Sequence, residues 1–391
     1  MSQLLNERWS ETKDALLEGL QGNRRASMSV CLENTRKYLA EAATAGATSA
    51  GNVATLNRVI LPVIRRVMPT VIANEIIGVQ PMTGPVGQIH TLRIRYADSG
   101  DGILAGDEAL SPFKIAAAYS GNNVDSLPKA ASTAQLEGQP GKRMSIQILK
   151  APVEAKSRKL SARWTFEAAQ DAQAQQGIDI EAEIMAALAQ EITAEIDQEI
   201  LASLRSLASV EETYDQSLVS GTATFVGDEH AALAIQINRV SNLIAQRTRR
   251  GAGNWAVVSN QALTILQSAT TSAFARTTEG TFEAPTNTKF VGTLNGAMKI
   301  YVDSYKTDSD TNNQVLIGYK GASEADAPAF YCPYIPLMSS GVVLDPNTFE
   351  PVVGFLTRYG YVELSNTASS LGNAADYLGK VAINYLTVSF K

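Results

Sequence analysis

Side chains capable of acid–base, nucleophilic or metal chemistry are few in this chain and far apart in its sequence. The two histidines are His90 and His230, and the two cysteines are Cys31 and Cys332. No third ligand or nucleophile lies next to either histidine, so neither predicts a metal site or a catalytic dyad. Two cysteines this far apart form neither a disulfide framework nor a cysteine-rich metal site, and we predict two buried or free thiols.

An acidic group in a glycine-rich stretch is the best candidate for a cation site. It comprises Asp98, Asp101, Asp107 and Glu108, and carboxylate oxygens are ligands that Ca²⁺ prefers. The spacing does not match the helix–loop–helix calcium pattern, so a solvated loop is the preferred interpretation. We therefore assign no metal ligand.

Two further segments have a composition that suits phosphate binding. Gly138-Gln-Pro-Gly-Lys-Arg lacks the four-residue gap between glycines and the Ser or Thr after Lys that a phosphate loop needs. Arg247, Arg249 and Arg250 end a predicted helix, where the helix dipole or a subunit contact explains them equally well. No residue is assigned to catalysis or to a cofactor, and we predict a protein that is not an enzyme.

The composition indicates a globular protein of two or three subdomains. The 391 residues are 45% hydrophobic and 18% charged, and the net charge of −6 does not favour wholesale nucleic-acid binding. No apolar run reaches the ~18 residues of a transmembrane helix, and the N-terminus has no secretory core. We expect a cytoplasmic product with no membrane partner.

One long amphipathic helix is predicted from Asp179, which can cap it, to about Ala208. Its apolar residues recur at four-residue steps, at Ile180, Ile184, Leu188, Ile192, Ile196, Ile200 and Leu204. The opposite side, which we interpret as solvated, carries Glu181, Glu183, Glu191, Glu195 and Glu199. Such a helix spans roughly 45 Å and can serve as a spine against which strands pack.

The segment from Ala97 to Lys150 has little core material, being rich in small and polar residues. Alternating residues predict strands on both sides of it, at Gln88–Tyr96 and Met144–Ala151. A core-poor segment of this length is either disordered or an arm that a neighbouring subunit orders. The flanking strands favour a two-stranded arm.

The N-terminal 41 residues are predicted to form amphipathic helices. Residues 42–52, which are small and polar, are typical of a flexible and protease-accessible linker. A hairpin packed on the body is one interpretation of the helices, but the linker that follows favours the other, a detachable segment.

The second half alternates helices and strands, as α/β or α+β proteins do. Helices are predicted at Arg163–Gln176, Glu229–Arg250 and Gln261–Ala269. Strands are predicted at Trp255–Ser259, Lys299–Val302, Val315–Tyr319, Val352–Glu363 and Ala382–Phe390.

Several strings of residues, in order along the chain, resemble segments of the major capsid proteins of T-even-type tailed phages. They are Ile77–Tyr96, Lys150–Leu160, Glu167–Asp171, Arg250–Trp255, Val291–Gly296, Lys299–Asp303, Val315–Gly321, Phe330–Leu337 and Phe349–Gly360. One such string is a weak signal, whereas several in the family's order are a strong one.

The resemblance implies an α+β fold of the Hong Kong 97 capsid type, with an N-arm, an extended β loop, a peripheral domain with the spine helix, and an axial domain. It implies an N-terminal assembly segment at 1–41, the N-arm at 42–88, the extended loop at 89–160, the peripheral domain at 161–250, the axial domain at 251–348, and a return to the peripheral domain at 349–391. The implied function is a major capsid protein whose hexamers and pentamers form the icosahedral head around phage DNA. A capsid vertex protein and an encapsulin-like shell remain alternatives with the same fold, and a soluble α/β enzyme is the alternative of another class.

The resemblance also implies partners and processing. The partners are other copies of the chain, a scaffolding core, a prohead protease, a portal protein, a decoration protein, and genomic DNA held without sequence specificity. Assembly would take place in the host bacterial cytoplasm. The family's protease cuts after Glu in a context that Leu39-Ala40-Glu41 followed by Ala42 matches, so Leu39, Glu41 and Ala42 are the candidate cleavage residues.

Overall fold

The computed structural model of the protein divides into two compact units. The first unit comprises Met1–Gly87, Pro152–Ala202 and Phe330–Val362, and the second comprises Gln88–Ala151, Ser203–Ala329 and Glu363–Lys391. The structure describes residues 9–10, 13–18, 20–44, 71–100, 104–106, 109, 119–124, 127–137, 141–176, 179–215, 226–268, 274–276, 289–303, 314–324, 326–345, 348, 350–364 and 373–384.

Helices and strands are mixed along the chain, as in an α+β fold. The helices are α1 Gly22–Thr44, α2 Ala73–Ile76, α3 Thr133–Leu136, α4 Phe166–Gln176, α5 Ile180–Leu207, α6 Val226–Thr248 and α7 Asn260–Ser268, with a 3₁₀ turn at Ala374–Tyr377. The strands are β1 Gly78–Val79, β2 Val86–Tyr96, β3 Asn122–Val124, β4 Leu127–Lys129, β5 Met144–Glu154, β6 Lys156–Arg163, β7 Val210–Asp215, β8 Trp255–Val258, β9 Phe274–Arg276, β10 Lys289–Leu294, β11 Met298–Val302, β12 Gln314–Gly318, β13 Ala329–Leu344, β14 Pro351–Glu363 and β15 Leu378–Asn384.

A four-stranded sheet with the order β1-β13-β14-β6 forms the base of the first unit. Strand β1 runs parallel to β13, and β6 runs antiparallel to β14 with Leu160 opposite Phe355. Alternate residues of β14 are buried, among them Val353, Phe355 and Tyr359. This is the pattern of a strand with one face on a core.

The spine helix α5 confirms the predicted long helix to within one residue at each end. Its N-terminus is capped by Asp179, whose Oδ1 accepts the N–H of Glu181 at 3.1 Å. The predicted stripe is buried from Leu188, 9% exposed, through Ile192, 1% exposed, to Leu204. One polar residue of the helix, Asp197, is fully buried and accepts the Ile72 N–H at 2.9 Å.

The second unit is built on a seven-stranded mixed sheet with the order β7-β15-β12-β8-β11-β10-β9. Strand β8 is parallel to β11 and β7 is parallel to β15, while β12 is antiparallel to both of its neighbours. Helices α6 and α7 cover the sheet through one apolar cluster, which includes Leu233, Ile237, Val258 and Ile317. The helices and strands predicted between Glu229 and Glu363 are present, with ends that differ by at most three residues. The strand predicted at Ala382–Phe390 begins at Leu378, and its residues after Asn384 lie outside the described part of the chain.

Strands β2 and β5 pair in a separate two-stranded sheet, which confirms the two strands predicted on either side of the core-poor segment. At the end of β2, Tyr96 forms a small buried cluster with Tyr119 and Ala109. A second short hairpin, β3 with β4, lies within the segment between the two arm strands.

One strand of the first unit was not predicted, and two further boundaries differ from the sequence prediction. Residues 329–344 form one long strand that contains Pro333 and Pro336, residues that are unusual within a strand. The helix predicted from Arg163 begins at Phe166, because Arg163 ends strand β6. Helix α1 continues to Thr44, so the residues predicted to begin a linker are helical.

Candidate assembly site

The arm exposes apolar side chains that a subunit would normally bury. Met144, Ile146 and Ile148 of β5 are 55%, 68% and 66% exposed. The residues between them in the strand, Ser145 and Gln147, are exposed as well. A two-stranded sheet is marginal in water without a surface to pack on, and exposed apolar stripes mark interaction sites.

The end of the arm where β2 stops and β5 starts is fixed by one ion pair and one tyrosine. Arg143 donates to Asp98 through its main-chain N–H, at 2.8 Å, and through its guanidinium, at 3.1 Å. Tyr119 donates its hydroxyl to the Arg143 carbonyl at 2.6 Å. The hydrogen bonds from Arg143 hold the pKa of Asp98 below its usual value. Asp98 is therefore occupied by an arginine; Asp101, Asp107 and Glu108, the rest of the predicted acidic group, lie outside the described residues.

Helix α1 packs into the core of the first unit. Cys31 and Leu32 are fully buried, and burial raises the pKa of the Cys31 thiol to about 12. The side-chain amide of Asn34 donates to two main-chain carbonyls, those of Met82 at 2.7 Å and Tyr334 at 3.1 Å. The sequence favoured a detachable segment over a packed hairpin, whereas this part of α1 is packed in the first unit.

The candidate cleavage residues Leu39, Glu41 and Ala42 have helical backbone, since α1 ends only at Thr44. The sequence prediction placed them at the junction of helix and linker. A protease binds its substrate in an extended form, so cleavage after Glu41 requires the last turn of α1 to unwind first.

A polar network lines an open groove of about 610 Å³ in the first unit. Arg158 donates to the Tyr359 hydroxyl at 2.6 Å and to Glu195 at 2.7 Å, and both Arg158 and Tyr359 also bond Glu199. Partial burial acts to raise the pKa of Glu199, but these hydrogen bonds outweigh it and the pKa is lowered. Burial and the bond to Glu199 raise the pKa of Tyr359.

Sequence reasoning missed this network. Glu195 and Glu199 sit on the side of the helix interpreted as solvated, and their four-residue spacing shows that they share a face. Their partners Arg158 and Tyr359 come from β6 and β14, far away in sequence, and only the antiparallel pairing of those strands brings them together.

The other predicted chemical groups stay apart. His90 is exposed on β2, and His230 is buried on α6 with its Nδ1 2.5 Å from the Ser268 hydroxyl. Cys332 is buried, and burial raises its pKa to about 12, so both cysteines are the buried thiols that were predicted. Within the described parts of the chain, no group of three or more His, Cys, Asp or Glu residues could hold a metal ion.

The basic run at the end of α6 is largely neutralised inside the second unit. Arg247 pairs with Glu211 at 2.7 Å, and Arg250 pairs with Asp326 at 2.5 Å. Arg249 is exposed and has a positive φ of 52°. None of the helices that the structure describes is long and apolar enough to cross a membrane.

A long spine helix, a two-stranded arm with an exposed apolar stripe and an α+β second unit are the elements expected of a capsid-shell subunit. Comparison of the sequence then gives the family. The chain belongs to the family described as "Major capsid protein Gp23", whose profile matches residues 53–137 and 125–383. It is accordingly a major capsid protein of the tailed-phage type, a structural protein of the head shell, as predicted.

The relatives are phage major capsid proteins. That of Vibrio phage KVP40 is 28% identical over 426 aligned residues, covering 85% of this chain and 82% of the relative. That of Enterobacteria phage T6 is 30% identical over 416, covering 83% and 81%. Among solved structures, the capsid of Cyanophage P-SCSP1u aligns with a TM-score of 0.45 at 10% identity, covering 81% of this chain and 88% of that one.

Proposed function

We propose that the chain assembles into hexamers and pentamers, and that the arm of each subunit packs on a neighbouring subunit. The observation that supports this most directly is the exposed stripe of Met144, Ile146 and Ile148 on β5. Burying such side chains at a contact contributes about 25 cal/mol per Å² of apolar surface. The arm corresponds to the extended loop at 89–160. The other proposed divisions are the N-arm at 42–88, the peripheral domain at 161–250 and 349–391, and the axial domain at 251–348.

The proposal includes processing of the N-terminal segment 1–41. A prohead protease would cut after Glu41, and the segment would engage a scaffolding core before release. Because Cys31, Leu32 and Asn34 belong to the packed core of the first unit, release removes part of that core. Cleavage is therefore expected to change the stability of the subunit as well as its length.

The proposed setting is the host cytoplasm, with a portal protein, a decoration protein and packaged DNA as further partners. The net charge of −6 suits a wall that should not grip DNA. A protein that builds a wall needs no catalysis, and we propose that this chain has none.

Deletion of Asp98–Gln147, with a short turn joining the ends, tests the arm. The shortened chain should be folded and soluble but form no closed shells. A finer variant changes Ile146 and Ile148 to Ser, and its matched control changes Ser145 and Gln147, which alternate with them, to Asn. Normal particles from the deletion, or an equal defect in the control, would rule out the arm as the intersubunit contact.

A further inference from the structure

Charge is segregated in one part of the chain. Residues 141–163 include seven Lys or Arg and one acidic residue, whereas residues 164–204 include nine Asp or Glu and no Lys or Arg. A protein that only needs solubility intersperses charges of both signs. Two neighbouring stretches of opposite sign instead suit surfaces that attract each other between molecules.

The acidic stretch begins with helices that lack a covering layer. We call α4 and residues 180–187 of α5 the acidic platform. No described side chain of α4 is buried, and Phe166 is 52% exposed. A helix of this length is marginal in water and depends on packing for its stability, so the platform has the character of a docking surface.

The platform's chemistry specifies a cationic partner. Glu167, Asp171, Glu181 and Glu183 are exposed, and none forms a salt bridge with a described residue. Phe166 begins the same helix as Glu167 and Asp171. Exposed carboxylates bind ammonium or guanidinium groups through ionic contacts, and an exposed aromatic ring adds cation–π contacts.

A matching surface lies on the same unit. Strand β6 is at the edge of the four-stranded sheet, and four of its eight residues are basic. Lys156 and Lys159 are exposed and form no salt bridge with a described residue. Arg163 makes only a long contact with Glu350, at 3.7 Å, with its side chain 71% exposed.

We propose that the basic edge strand β6 of one copy docks on the acidic platform of a second copy. The inference rests on the proposed function, since it names the contact that joins neighbouring subunits. The two surfaces differ, so the contact is head-to-tail and can close into a ring of subunits, as a capsomer requires.

Charge exchange tests this pairing on the purified full-length chain. One variant carries Lys159→Glu and Arg163→Glu, which point to the same face of β6, and a second carries Glu167→Lys and Asp171→Lys, which lie one turn apart on α4. Each exposed pair contributes about 1.4- to 5-fold to an equilibrium constant, so two pairs amount to roughly 2- to 30-fold per contact. The third variant combines all four changes. The control, Lys37→Glu with Arg249→Glu, makes the same charge change elsewhere.

Subunit association is measured by analytical ultracentrifugation at several salt concentrations, with thermal melting to show that each variant folds. Each reversed pair should weaken association, the combined variant should restore it, and the control should match wild type. Wild-type association should also weaken as salt screens the contact. Three results would overturn this pairing and leave the proposed function intact. They are normal association of the folded single-surface variants, weak association of the combined variant, and a β6 variant that loses DNA binding but associates normally. A wild-type chain that stays monomeric at every salt concentration would overturn both.

Discussion

The side-chain amide of Asn34 holds helix α1 on the first unit, and replacing it with Ala should loosen that helix. The residue is 7% exposed and donates to the carbonyls of Met82 and Tyr334. Each buried hydrogen bond contributes about 0.5–1.5 kcal/mol net. Losing both should cost about 1–3 kcal/mol, which corresponds to roughly a 5- to 150-fold higher population of the opened helix at 25 °C.

Cys31 provides the readout, because it is fully buried three residues before Asn34 and reacts only when the helix opens. The experiment measures the rate at which a thiol reagent labels Cys31, in a Cys332→Ala background so that one thiol reports. Asn34→Ala should raise the rate by the same 5- to 150-fold. Lys37→Ala, at an exposed position on the same helix, should leave it unchanged. Equal rates in the two variants would show that Asn34 does not hold the helix.

Further predictions concern the spine helix, a buried ion pair and acid stability. Ile192→Ala should lower the free energy of unfolding by about 2–5 kcal/mol in urea titration, through lost burial and a cavity; a loss below 1 kcal/mol would contradict its place in the core. Arg205→Met should cost about 3–5 kcal/mol, because it removes the ion-pair partner 2.7 Å from the fully buried Asp303 carboxylate, and adding Asp303→Leu should recover most of the loss in the same titration. The pKa of Glu199 is lower in the folded protein than in the unfolded chain. Its hydrogen bonds, including the one from Arg158, therefore stabilise the folded protein fully above the unfolded-state pKa, and this stabilisation is lost as the pH falls through the folded-state pKa. Glu199→Gln should therefore flatten the fall in melting temperature below about pH 4.5, and an unchanged acid limb would contradict this role.

Local pattern was enough to predict the spine helix and the arm. The stripe from Ile180 to Leu204 repeats at one period and starts at a capping Asp, so sequence placed both ends within one residue. The arm strands also follow from their alternation. The exposure of their apolar residues could not be predicted. Alternation shows which residues share a face of the strand, but it does not show whether the monomer covers that face.

Features that depend on distant pairing could not be predicted. Strand β13 carries two prolines, and only its neighbours in the sheet show why they are tolerated. Strand β1 pairs with Phe330 and Tyr331 alone, before the first proline. Beyond that pairing, the carbonyl of Pro333 accepts the N–H of Met82 at 3.0 Å, a bond that needs no N–H from proline. The contacts of Arg158 require β6 and β14 to be in register. Asn34 reads as an ordinary polar residue of an amphipathic helix until the carbonyls it reaches are known.

If this chain is a shell subunit whose arm packs on a neighbour, the purified full-length protein should assemble on its own. Electron microscopy of the wild-type protein should then show closed shells, tubes or rings of subunits. A uniform field of dispersed, folded monomers would contradict the proposed role of the arm.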